Sequence, residues 1–118
     1  MSNDKFTIHY KQHRVTTDFA GAPCLLVYYD YSNNGSSASS AMVDVNLQAY
    51  QNGNLLEPAI PESDDEAIDQ FMTEVQPGQA VTVCQAFTLQ DESDVTLQAG
   101  EAFSFGGGTV VSQVLKIK

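Results

Sequence analysis

Apolar and polar residues alternate along much of this chain, and a period of two is typical of a β-strand that buries one face. The pattern begins with Phe6, Ile8 and Tyr10, which are separated by polar residues. It is cleanest in the segment 43–49, whose apolar members are Val43, Val45, Leu47 and Ala49. The alternation predicts antiparallel sheets with one side in a core.

Turn-forming residues separate the predicted strands. The pair Asn52–Gly53 is the strongest hairpin signal, because both residues tolerate positive φ angles. Similar breaks recur roughly every eight to twelve residues, which is typical of β-sandwiches. No connection holds a full crossover helix, so a parallel α/β fold is excluded. The sequence predicts an all-β fold, a two-sheet antiparallel sandwich of about seven strands.

The period changes once, near residues 63–72. Ser63 and Glu66 have the spacing of a helix capping box. The apolar residues that follow are three, four and seven positions apart, as on one side of a helix: Ile68, Phe71, Met72 and Val75. We expect one short helical turn here that covers the sandwich and is closed by Pro77–Gly78.

With 118 residues the chain is long enough for one domain and too short for two. We assign residues 1–4 to a disordered leader or cloning remnant and residues 5–118 to the domain. Fifteen acidic and five basic residues give a net charge of −10, which disfavours nucleic acid and anionic lipid as partners. No run of about eighteen apolar residues exists, so we expect no membrane insertion by this domain.

The basic residues lie only near the two ends of the chain. No Lys or Arg occurs between Val15 and Leu115, whereas Lys11, Arg14 and Lys116 lie just outside that span. If the first and last strands are neighbours, these side chains form one positive edge on an acidic body. A solubilising acidic surface is the alternative explanation.

The two cysteines, Cys24 and Cys84, match no metal-binding spacing. Should the second and fifth strands pair antiparallel, the two sulfurs could meet across one face. A disulfide there would close a loop of about sixty residues and stabilise the fold by roughly 4 kcal/mol. Two unlinked small side chains are the alternative.

Acidic residues cluster at the start of the predicted helix: Asp64, Asp65, Glu66 and Asp69. Their oxygens could ligate Ca²⁺, although the spacing does not fit an EF-hand loop. Carboxylates in the first turn of a helix also complement its dipole, which explains them without a metal. The turn with Asp91, Glu92 and Asp94 allows the same two interpretations.

Parity assigns two faces to the second strand, predicted from Cys24 to about Ser32. We expect Leu25, Val27, Tyr29 and Tyr31 to face the core. Tyr28 and, on the third strand, Tyr50 have the opposite parity and could form an exposed aromatic interaction patch. Edge packing or burial on both sides of the sheet is the alternative.

No constellation of catalytic residues is present. His9 and His13 are four strand positions apart, about 13 Å, which is too far to share a metal, so we interpret them as surface residues. No Gly-x-Ser-x-Gly elbow occurs, and Gly106–Gly108 lacks the lysine of a phosphate loop. We therefore expect no enzymatic activity and no cofactor.

Four stretches, in a regular order and spacing, carry a family resemblance: residues 23–34 (PCLLVYYDYSNN), 47–53 (LQAYQNG), 75–78 (VQPG) and 101–105 (EAFSF). Together they resemble the uncharacterised domain-of-unknown-function family 5067 of Gram-positive secreted lipoproteins, over about residues 6–117. The resemblance implies an immunoglobulin-like sandwich at the cell surface, with a lipid anchor in the precursor. It implies no activity and supplies no catalytic residues.

Pattern and resemblance together predict a non-catalytic, extracellular binding or structural module of a cell-envelope lipoprotein. Its partner would be an unknown protein or envelope component. A calcium-binding domain that uses the acidic loops is the alternative.

Overall fold

The computed structural model describes residues 5–61, 66–101 and 111–117, and these form two antiparallel sheets and two short helices. The strands are β1 Phe6–Thr17, β2 Pro23–Asn33, β3 Val45–Gln51, β4 Asn54–Leu55, β5 Ala80–Thr88, β6 Val95–Glu101 and β7 Val111–Leu115. The helices are α1 Ala41–Asp44 and α2 Glu66–Gln70. One sheet has the order β1-β2-β5 and the other the order β4-β3-β6-β7. The predicted all-β, two-sheet antiparallel sandwich of about seven strands is confirmed.

Strand β2 is the centre of the three-stranded sheet and is buried on both faces. Its inner side chains enter the core between the sheets, as predicted: Leu25, Val27, Tyr29 and Tyr31. Its outer side chains Cys24, Leu26 and Tyr28 are at most 7% exposed. The outer face of this sheet must therefore be covered as well.

The cover is the strap, which we define as the described residues 57–61 and 66–70. Near its start Ala59 N donates to the carbonyl of Ala86 on β5 (3.0 Å), and Ile60 O accepts from Phe19 N (2.9 Å). Helix α2 then packs on Leu26, Tyr28 and Cys84 of the sheet through Ala67 and Ile68. The predicted helix is present as α2, whereas Ser63 of the expected capping box lies outside the described residues.

A second helical turn, α1, replaces the beginning of the predicted third strand. Val43 was expected to face the core, but it lies in α1 and is 51% exposed. The physical reason is Ser40, whose Oγ accepts a hydrogen bond from Val43 N (3.3 Å) and caps the turn. Strand β3 starts only at Val45.

Buried amide side chains hold two loops against the sheets. Gln51 is 0% exposed and donates from Nε2 to the carbonyls of Asp91 (3.1 Å) and Ser93 (2.9 Å). Asn33 is 1% exposed and donates from Nδ2 to the carbonyls of Ser37 (2.8 Å) and Val75 (2.9 Å). Each buried amide donates to two loop carbonyls, which fixes these loops to the folded core.

The hairpin between β3 and β4 forms as predicted. Asn52 has φ 52° and Gly53 has φ 80°, the left-handed values that this tight turn requires. Strand β4 then pairs Leu55 with Tyr50 and Asn54 with Gln51.

Strong alkali will destabilise the protein through Tyr29. The ring is 4% exposed, its hydroxyl donates to Gln85 Oε1 (2.6 Å), and burial raises the pKa of Tyr29 above the ordinary value of 10.0. A raised pKa in the folded state means that stability is intact below about pH 10 and falls above it, by up to about 1.4 kcal/mol per pH unit. Urea denaturation at a series of pH values between 8 and 11 should show this fall in the free energy of unfolding.

Tyr29→Phe removes the ionisable group and should make the decline above pH 10 shallower, whatever it does to stability at neutral pH. An unchanged slope in Tyr29→Phe would show that other groups cause the alkaline decline.

Candidate functional site

The two cysteines are free and buried, and the sheet register keeps them apart. Cys24 lies opposite Thr88 and Cys84 lies opposite Tyr28, so four strand positions separate the cysteines. That is about 13 Å along the strand, whereas a disulfide needs Cα atoms within roughly 7 Å. They share one face of paired strands, and of the two alternatives the structure has the unlinked side chains. Burial, reinforced by the nearby Asp18, raises the pKa of the Cys24 thiol.

The acidic candidates for calcium are only partly described. Glu66 and Asp69 are both exposed on α2. Asp64 and Asp65 fall outside the described residues. Within residues 5–61, 66–101 and 111–117, no group of three His, Cys, Asp or Glu side chains could hold a metal ion.

Asp91, in the second acidic turn, accepts hydrogen bonds from two nearby residues. Its carboxylate accepts from Ser93 N (2.7 Å) and from Asn52 Nδ2 (2.9 Å). The hydrogen bonds from Ser93, with a smaller contribution from Asn52, lower the pKa of Asp91. This carboxylate therefore shapes its own turn.

Tyr28 and Tyr50 do not form one patch, because they lie on opposite outer faces of the sandwich. Tyr28 is 7% exposed beneath α2, and Arg14 donates from Nε to its hydroxyl (3.1 Å) with the guanidinium 6.0 Å from the ring centroid. Tyr50 lies half-buried on the four-stranded sheet. Tyr28 thus follows the alternative of burial on both sides of the sheet, because the strap covers that face.

A bulge in β1 reorients His13. The pairing with β2 shifts between Tyr10 and Gln12, so Tyr10 and His13 come to the same side, while His9 stays exposed. His13 Nε2 donates to the carbonyl of Lys116 (2.9 Å), and His13 Nδ1 lies 2.5 Å from the Tyr10 hydroxyl. His13 is therefore half-buried, not a free surface residue as predicted, and it links the edges of the two sheets.

The predicted positive edge is not formed as expected, since β1 and β7 belong to different sheets. The two sheet edges meet through His13 and Lys116. The cations of β1, however, contact side chains of the neighbouring strand β2 in their own sheet. Lys11 Nζ lies 3.8 Å from Asp30 Oδ1, and Arg14 is bound to Tyr28.

A cavity of about 110 Å³ lies between the two sheets. Its walls are mainly aliphatic, including Ile8, Val27 and Leu97, and Tyr10 and Gln113 also line it. Pockets for small-molecule ligands usually measure about 300–1,000 Å³. At about 110 Å³, this cavity is smaller than such pockets.

The outer side of the four-stranded sheet carries no charged side chain at eight described positions, which we call the open face: Asn46, Gln48, Tyr50, Leu55, Thr96, Gln98, Ser112 and Val114. The chain as a whole has fifteen acidic and five basic residues. None of these eight outward positions carries a charge, in a chain of which 17% of the residues are charged.

The register arranges the open face in two cross-strand rows. In one row Gln48 is paired with Gln98, which is paired with Ser112. The other row is a chain of cross-strand pairs that continues over all four strands: Leu55, Tyr50, Thr96 and Val114.

Side chains at both ends of the second row are open to solvent, with Leu55 54% and Val114 60% exposed. Sequence parity assigned Gln48 and Tyr50 to the outward side of the third strand. It could not show which strands continue that face, because this depends on the sheet order.

Replacing His13 will weaken the attachment between the two sheet edges. His13→Ala removes both of its hydrogen bonds, and we expect a loss of about 1–2 kcal/mol in the free energy of unfolding. His9→Ala, at an exposed position of the same strand, is the control and should change stability by less than about 0.5 kcal/mol. Equal effects of the two substitutions in urea denaturation would contradict this role for His13.

Comparison with solved structures finds the same fold in two proteins from Gram-positive bacteria. One is a proposed lipoprotein of Bacillus subtilis, with a TM-score of 0.71 and 16% identity over 99% of this chain. The other is a proposed lipoprotein of Staphylococcus aureus, with a TM-score of 0.72 and 12% identity over 97% of this chain. The chain spans 38% of the Bacillus protein and 85% of the Staphylococcus protein. At these identities the likeness shows the fold alone.

No curated protein matches the sequence significantly. In the described part of the chain, no helix has the length and apolar character needed to cross a bilayer. A family profile, however, matches residues 1–101, and this confirms the resemblance found in the sequence. The chain belongs to the family described as Domain of unknown function (DUF5067).

Proposed function

We propose that this domain is a non-catalytic binding module at the bacterial cell surface and that the open face is its binding surface. The observation that carries the proposal is the lack of charge at all eight positions of that face in a chain of net charge −10. Charged groups must lose water when a surface is covered, so a face without them is the least costly one to bury.

The two sheets differ in how their outer faces are used, and this supports the choice of face. The outer face of the three-stranded sheet packs against α2 through Leu26, Tyr28 and Cys84. The open face presents Leu55 and Val114 to solvent instead. A partner can thus reach the four-stranded sheet without displacing any described element of the fold.

The cell-envelope setting is supported by the structural neighbours, which are described as lipoproteins of Bacillus and Staphylococcus. In such a protein a lipid anchor upstream of the domain would hold it outside the cell. The non-catalytic assignment is supported by the partners of the buried tyrosines. Tyr29 is bound to Gln85 and Tyr31 to Asp44, so each serves the core.

Charge placed on the open face should abolish binding to envelope material. We expect Gln98→Glu to reduce co-sedimentation of the domain with isolated Gram-positive envelopes by about tenfold or more, because a buried unpaired carboxylate costs several kcal/mol. Gln12→Glu makes the same chemical change at an exposed position of β1 in the other sheet and should bind like the wild type.

Equal retention of the two variants would contradict the assignment of the open face. No retention of the wild-type domain on envelopes would contradict the proposed function itself.

A further inference from the structure

Resting on the proposed function, we propose that the open face binds an uncharged oligosaccharide strand.

The first row supplies hydrogen-bonding groups that suit sugar hydroxyls. Side chains of directly paired strand residues have Cβ atoms about 4.5–5.5 Å apart, so Gln48, Gln98 and Ser112 form a continuous line. A side-chain amide has N–H donors and an acceptor oxygen, and a serine hydroxyl both donates and accepts. A sugar hydroxyl also donates and accepts, so it can pair with either kind of group.

Several of these groups are available for a ligand. In the part of the chain that the structure describes, Asn46, Gln98 and Ser112 make no side-chain hydrogen bond. Asn46 and Ser112 are also exposed. The open face therefore has unused donors and acceptors that are accessible to solvent.

The second row supplies an apolar surface beside the first. It lies two strand positions away, about 7 Å, and Tyr50 is its aromatic member. The Tyr50 hydroxyl donates to Gln48 Oε1 (2.9 Å), which joins the two rows and orients the ring. A sugar ring has a C–H face and a rim of hydroxyls, so it matches an apolar row next to an amide row.

The net charge of the chain and the lack of charge on the open face favour an uncharged ligand over the charged polymers of a cell surface. An anionic polymer would be repelled by a chain of net charge −10 and would find no Lys or Arg on the open face. A cationic partner would be attracted to carboxylates, and these lie elsewhere, as Glu66 on α2 and Asp91 in its turn do.

The area of the open face favours a short oligosaccharide over a folded protein partner. With strands about 4.8 Å apart and outward residues about 7 Å apart along a strand, the eight positions cover roughly 260 Å². A stable protein interface buries about 800 Å² on each partner. The open face is thus too small for a second copy of this chain to form a stable dimer through it alone.

The test is an NMR titration of the isotope-labelled 118-residue chain with three uncharged probes: chitohexaose, cellohexaose and maltohexaose. With at least one probe we expect shifts at the side-chain amides of Gln48 and Gln98 and along β3 and β6. Tyr50→Ala should weaken that binding about fivefold or more by removing the ring, and Gln98→Glu about tenfold. Gln12→Glu is the control and should bind as the wild type does.

Two results of the titration would overturn the inference: no shift with any of the three probes up to about 10 mM, or shifts confined to α2 and the three-stranded sheet.

Co-sedimentation with protease-treated envelopes distinguishes this inference from the proposed function. Retention after protease treatment is expected for a glycan ligand. If the domain binds untreated envelopes but not treated ones, the partner is a protein, and the inference fails while the proposed function stands. If it binds neither, both fail.

Discussion

The architecture depends on the burial of β2 on both of its faces. Leu25 and Val27 point into the core between the sheets, and Cys24, Leu26 and Tyr28 point the other way, yet all five are nearly inaccessible to solvent. A strand with two apolar faces needs a layer on each side. The four-stranded sheet provides one layer, and the strap with α2 provides the other.

This requirement makes the sandwich asymmetric. The strap covers the outer face of the three-stranded sheet, so it is not available to cover the four-stranded one. The outer side of the four-stranded sheet is the surface that remains for a partner, and its side chains are uncharged amides, hydroxyls and a few apolar groups. Under the proposed function, one sheet is covered for stability and the other is left for binding.

Local patterns in the sequence were sufficient to predict most of the strands and the tight hairpin. The inward parity of β2 and the turn at Asn52–Gly53 follow from alternation and backbone preference, which act within a few residues. The resemblance to the family also followed from local stretches. The open face was only partly predictable, because parity gave the outward residues of single strands but not their order in the sheet.

Three features of the structure are not encoded in the alternation of the sequence. The bulge after Tyr10 changes parity within β1 and turns His13 inward. Register, not parity, separates Cys24 from Cys84 by four strand positions. Tyr28 is buried because α2, distant in sequence, packs on it. Each depends on how segments far apart in the chain meet.

Site-specific photo-crosslinking tests most directly whether the open face is the binding surface. A benzophenone side chain at Ser112 lies on this face, and one at Gln12 lies on the outer face of the other sheet. Irradiation on isolated envelopes should give crosslinked product from position 112 and little from position 12. Crosslinking mainly from position 12, or equally from both, would contradict the account.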